Sequence, residues 1–112
     1  MSKLLKERCD LADLLKTKDG VFVLFYAPWC PFSMGFLPTF EKHAAGHDER
    51  FCRMTLDGNE DLFDEYGVEV YPTVLFFKNG KVDKRLDGQP LAGLKDKQLA
   101  QLIDSCGVAK GS

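Results

Sequence analysis

Residues 21–31 read Val21-Phe22-Val23-Leu24-Phe25-Tyr26-Ala27-Pro28-Trp29-Cys30-Pro31. The stretch from Val21 to Ala27 is β-branched, aromatic or aliphatic, with no polar interruption. A short continuous apolar run of this composition predicts a strand buried on both faces. Pro28 ends the run. Pro31 suits the first position of a helix, where its missing N–H would have no partner in any case. Cys30 is therefore expected where a strand gives way to a helix. The first N–H groups of a helix are unpaired, and its dipole places roughly half a positive charge there. Both favour the thiolate, which is the nucleophilic form of cysteine.

Upstream, Leu11, Leu14 and Leu15 form a helical stripe with Asp10 as its expected N-cap and Asp19-Gly20 as its stop. The first ten residues allow either a short strand around Leu4-Leu5 or a helical lead-in. Downstream, Phe36, Leu37, Phe40 and Ala44 make the apolar face of the helix that Pro31 opens, with Pro38 inside it. Phe51–Leu56 predicts a second strand. Asn59 is placed to cap a short helix with Leu62, Phe63 and Tyr66 inward and Gly67 at its end. Tyr71-Pro72 opens a third strand, Thr73–Lys78, and Asn79-Gly80 is a two-residue hairpin signal leading into Lys81–Asp87. Leu99, Leu102, Ile103 and Cys106 stripe a last helix. Two strands joined through a helix imply a right-handed parallel crossover, whereas the hairpin pair must be antiparallel. The order predicts an α/β fold with a mixed central sheet and helices on both faces.

At 112 residues the chain is expected to be one domain over 1–112, with a core over about 10–106 and a frayed tail at 107–112. With 45% hydrophobic and 12% aromatic residues it has too much to bury for a disordered chain. Fifteen basic residues against seventeen acidic ones leave no basic footprint for nucleic acid. No apolar run reaches the roughly 18 residues a membrane span needs. The start lacks a secretory leader's apolar stretch, which favours a cytoplasmic setting. A monomer is expected. The four cysteines, at 9, 30, 52 and 106, form no close pair, and the only histidines are His43 and His47. No metal or cofactor is called for. Cys52 and Cys106 fall on core positions, Cys9 on an exposed one, and both histidines on a solvated helix flank.

The segment Phe25-Tyr26-Ala27-Pro28-Trp29-Cys30 resembles the thioredoxin family, and in wording is most similar to the catalytic domains of protein disulfide isomerases. Four further landmarks fall in register: Pro38 within the helix, Tyr66-Gly67-Val68, Tyr71-Pro72-Thr73, and the hairpin Phe76-Phe77-Lys78-Asn79-Gly80. The resemblance covers roughly residues 10–106. It implies a thioredoxin fold, a cis peptide before Pro72, and a substrate-binding rim of Trp29, Pro31, Phe32, Tyr71 and Pro72 around Cys30. Extended peptides would bind there by strand addition.

Two departures bear on chemistry. The family's Cys-x-x-Cys is Cys30-Pro31-Phe32-Ser33 here, and the buried acid it commonly places before the site is Leu24. Cys30 and Ser33 are the expected catalytic pair, with the Ser33 hydroxyl expected to donate to the Cys30 sulfur. A thiolate attacking a disulfide forms a mixed disulfide, which a neighbouring second thiol would release. With serine there, the mixed disulfide is expected to persist until an outside thiol resolves it. The resemblance thus implies a thiol-redox protein whose single thiolate couples to protein or glutathione partners. Two alternatives stay open: a binding module that retains clients without turnover, and a dithiol oxidoreductase whose second cysteine has been replaced by Ser33. Whether the chain is an enzyme depends on that resolving cysteine. A cluster-carrying glutaredoxin is set aside, because Pro31 stands where that site has glycine and no Gly-Gly follows Thr73.

Overall fold

The structure, a computed structural model, describes residues 2–18, 20–47, 50–88 and 93–106. The expected tail at 107–112 lies outside the described residues. The elements follow in the order β1 (Lys3–Leu5), α1 (Arg8–Thr17), β2 (Gly20–Tyr26), α2 (Pro31–Ala44), β3 (Phe51–Thr55), α3 (Glu60–Glu65), β4 (Thr73–Lys78), β5 (Lys81–Leu86) and α4 (Asp96–Cys106). The start of the chain is a strand. It pairs parallel with β3, setting Leu5 beside Met54.

The strands lie in the order β1-β3-β2-β4-β5. The apolar run is the central strand, parallel to β3 and antiparallel to β4. Every residue of β2 is buried. Strand alternation then divides the core in two. Val21, Val23 and Phe25 face Leu11, Leu14, Leu62 and Phe63 of α1 and α3, with Cys52, Met54, Leu75 and Phe77 on the same side. Phe22, Leu24 and Tyr26 face Phe36, Phe40 and Ala44 of α2 and Leu99, Leu102 and Ile103 of α4, with Phe51, Val74 and Phe76. Phe22 lies between Phe51 and Phe76, with ring centroids 4.9 and 4.8 Å away. The mixed sheet with helices on both faces is as the sequence predicts. The hairpin turn also follows from it, since Asn79 and Gly80 both have positive φ, 54° and 81°, as a type I′ turn requires.

Local details differ from the sequence expectation. Asp10 does not precede α1 but lies in its first turn. Its carboxylate reaches back to accept from the N–H groups of Lys6 and Glu7, at 3.0 and 3.1 Å. Asn59 is the N-cap residue of α3, as expected, but its side chain makes no capping hydrogen bond. Its Nδ2 instead donates to the carbonyls of Lys6 and Thr55, at 3.3 and 3.0 Å, fastening the loop after β1 to the end of β3. His43 is not a solvated flank residue. Its Nε2 lies 2.5 Å from Asp96 Oδ1, and Lys42 Nζ lies 2.8 Å from the other carboxylate oxygen. An acid in the first turn of α4 complements that helix's dipole, so two basic groups at the end of α2 meet it there.

The hydrogen bonds from Lys42 and His43 hold the Asp96 carboxyl below its ordinary value of 3.8. A carboxylate with a depressed folded pKa adds stability above its unfolded pKa and loses it as pH falls through the folded one. Asp96→Asn should therefore lower the urea midpoint at pH 7, and the gap from the parent should close as pH drops below about 4. A gap independent of pH would show that the carboxylate's charge does not contribute.

Candidate functional site

The site forms where β2 runs out of partners. Its ladder with β4 ends at the pair Phe25 and Thr73, and its ladder with β3 ends at Tyr26 and Thr55. The next residue, Ala27, is buried and has an N–H outside either ladder. A buried donor must find an acceptor. The fully buried Ser33 supplies it, with Oγ 3.2 Å from Ala27 N. The Ala27 carbonyl accepts from Cys30 N–H at 3.0 Å, closing the turn Ala27–Cys30. Cys30 is itself the N-cap of α2, with extended backbone (φ −91°, ψ 120°), and Pro31 follows at the helix start. This corrects the expected hydrogen bond from Ser33 to the Cys30 sulfur: none is present, because the hydroxyl is directed into the core, where Ala27 engages it.

Cys30 is half-buried, and its Sγ lies 3.9 Å from the Tyr71 carbonyl, which belongs to the segment entering β4. The Tyr71–Pro72 peptide is cis. Thr73 Oγ1 donates to the Val70 carbonyl at 2.6 Å and closes the turn around it. Two loops far apart in sequence thus meet at the sulfur. A line of rings anchors them to the core: Phe25 against Phe63 at 5.0 Å, Phe63 against Tyr71 at 5.8 Å, and Tyr71 edge-on to Trp29 at 6.1 Å. Burial first, then the charges of Asp64 and Cys30, pushes the Tyr71 phenol up.

Of the residues expected on the rim, Trp29 (65% exposed), Phe32 (39% exposed) and Pro31 face solvent. Tyr71 is half-buried and Pro72 is buried. Pro72 is thus the floor of the site and not part of its rim, because Gly88 covers it: a Cβ at Gly88 would stand 2.4 Å from the Pro72 carbonyl oxygen. Met34, one turn beyond Cys30, is 43% exposed and extends the apolar surface. Gly93, at φ +67°, lies against Phe32, where a Cβ would come within 3.0 Å of the Phe32 Cβ. Sequence reading missed Met34, Gly88 and Gly93. The helical spacing of Met34 from Cys30 carries a signal for the first. The two glycines depend on tertiary approach and carry none.

All four thiols are free. Burial pushes Cys52 up to about 11 and also raises Cys106, while a hydrogen bond to Glu7 raises Cys9. Each is held toward the protonated, unreactive form. Leu24, where the resemblance expects an acid, is fully buried in the core on the α2 and α4 side. Among the described residues no three or more His, Cys, Asp or Glu side chains are grouped to hold a metal ion.

Residues 6–105 match the family model described as Thioredoxin. The chain belongs to the thioredoxin family. It is 35% identical over 96 residues to the thioredoxin of Mycoplasmoides gallisepticum, covering 84% of this chain and 96% of that protein. It is 37% identical over 76 residues to the protein disulfide-isomerase of Oryctolagus cuniculus, covering 63% of this chain but 15% of that longer protein. Among solved structures, Fasciola hepatica thioredoxin superposes with a TM-score of 0.80 at 28% identity, over 92% of this chain and 97% of that one. The architecture described above is therefore a thioredoxin fold. No helix among the described residues is long and apolar enough to cross a membrane.

The two glycines yield a graded prediction. A non-glycine residue in the left-handed region costs about 1–2 kcal/mol, so Gly93→Ala should lower unfolding stability by that order. Gly88→Ala must displace backbone at Pro72 and should lower it more. Denaturant unfolding of both variants checks the ranking, and equal midpoints would contradict it.

Proposed function

We propose that this thioredoxin-family chain is a thiol-redox protein that works with one thiolate, Cys30, and forms mixed disulfides with protein or glutathione partners. The carrying observation is the pairing of a solvent-reachable Cys30 at the start of α2 with a buried Ser33 one turn on. The thiolate attacks one sulfur of a partner disulfide. The Cys30–partner S–S bond forms as the partner's own S–S bond breaks, and the leaving sulfur departs with the electron pair as a thiolate. Trp29, Pro31, Phe32 and Tyr71 form the partner-binding surface, over a floor at Pro72. The exposed rings supply apolar contact, and the Tyr71–Pro72 backbone lies beside the sulfur.

Release is where this chain departs from a dithiol site. In that case the second thiolate attacks Cys30 at very high effective molarity. Ser33 cannot replace it. A hydroxyl is far less acidic than a thiol, and Ser33 Oγ is occupied by Ala27 N–H. Cys52 is buried and protonated, so it offers no substitute. Capture without self-release follows, and an outside thiol must complete any cycle. Whether that thiol is abundant where the chain works decides between a turning-over redox protein and a module that retains its clients.

Ser33→Cys tests the reading. With protein in excess over insulin and no small thiol present, the variant should release reduced insulin and close a disulfide within its own motif, whereas the parent should stop at the mixed disulfide. Comparable release by both would show that Ser33 does not limit it.

A further inference from the structure

We propose that Arg85 is a positioning residue that holds the Tyr71–Pro72 turn in place against Cys30 and so sets the rate of peptide capture. This rests on the reading of Cys30 just given. Strand register determines the side on which Arg85 emerges. The two-residue turn at Asn79-Gly80 pairs Lys78 with Lys81 and Phe77 with Val82. Continued without a break, it would set Lys84 opposite Leu75. Instead Phe76 pairs with Lys84 and Leu75 with Arg85, leaving Asp83 as an extra residue in β5. A one-residue bulge turns every later side chain to the other face. Leu75 packs on the α1 and α3 side, so Arg85 is carried to that side. Lys84 is carried to the other, where its Nζ donates to the Ser105 carbonyl near the end of α4, at 2.9 Å.

On its side Arg85 meets the end of α3. That helix closes with Val68 N–H on the Phe63 carbonyl and Gly67 N–H on the Asp64 carbonyl, at 2.9 and 3.0 Å. The carbonyls of Tyr66 and Gly67 accept from Arg85 Nη1 and Nη2, at 3.0 and 3.2 Å. The same guanidinium grips the Asp87 carboxylate through Nε, at 3.1 and 3.0 Å, and through Nη2 at 2.7 Å. Asp87 is followed by Gly88, whose backbone lies against the Pro72 carbonyl. One planar group thus fixes both the chain entering the Tyr71–Pro72 turn and the chain that covers it. A lysine cannot reproduce this, because its point charge lacks the planar fork of donors. Arg85 makes no hydrogen bond with Cys30, whose sulfur lies against the Tyr71 carbonyl, so its influence on chemistry passes through the turn.

The test separates positioning from folding. In the parent, Arg85→Met and Arg85→Lys, three quantities are measured: the rate of mixed-disulfide formation with a peptide disulfide, the rate of Cys30 alkylation by iodoacetamide, and the urea midpoint. Peptide capture needs the turn; alkylation does not. Both variants should capture peptide roughly tenfold more slowly or worse, with alkylation within a factor of about two of the parent. If Arg85→Met does not fold, Arg85→Lys, which keeps stem and charge, decides alone. Unchanged peptide capture, an equal fall in alkylation, or full activity in Arg85→Lys would overturn the proposal. A parent that forms no mixed disulfide at all would overturn the reading of Cys30 itself, and the positioning role with it.

Discussion

Strand β2 has no free edge and no solvent face, and this constraint organises the molecule. Its seven residues, Gly20–Tyr26, are all buried. Each N–H and C=O must therefore pair with β3 or β4, and each side chain must meet one of two helical layers. Both demands are met up to Tyr26, where the ladders stop. The polar backbone that follows has to be satisfied some other way, and the means chosen is the site itself. Ser33 accepts from Ala27, and Ala27 accepts from Cys30. The geometry that presents the sulfur is thus a consequence of ending a fully buried strand.

The same logic explains why only one of four thiols stands apart. Cys52 occupies a β3 position facing the α1 and α3 layer, and burial keeps it protonated. Cys106 is raised by its burial against the sheet, and Cys9 by its acidic neighbour. Cys9 also lies in the first turn of its helix, but Cys30 alone joins a helix start to half-exposure beside the Tyr71–Pro72 turn. Leu24 fits the one-thiol account. An ionisable group there would be buried in an apolar layer, which costs several kcal/mol unless it is paired or neutral, and with Ser33 it would have no second thiol to deprotonate.

Much of the fold was legible because burial writes itself into residue type. The run Val21–Ala27, the stripes of α1, α2 and α4, and the Asn79-Gly80 turn each carry a local signature that tertiary structure preserves. The motif residues Trp29, Cys30 and Pro31 were legible through resemblance. What was not legible came from contacts between distant segments. The direction of the Ser33 hydroxyl is decided by an unpaired N–H six residues earlier. The burial of Pro72 depends on Gly88, and the side on which Arg85 emerges depends on a single extra residue in β5. His43 read as surface until Asp96 was brought to it by α4, its neighbour in the same helical layer. None of these has a periodicity to read.

The central claim is that capture at Cys30 lacks an internal release. The direct measurement is intact mass over time after reaction with one equivalent of a peptide disulfide, in buffer free of small thiols, with peptide mapping of the modified site. The account predicts a single adduct on Cys30 that persists unchanged. Spontaneous loss of the adduct, with the protein left two hydrogens lighter and a disulfide mapped between Cys30 and Cys9, Cys52 or Cys106, would contradict it.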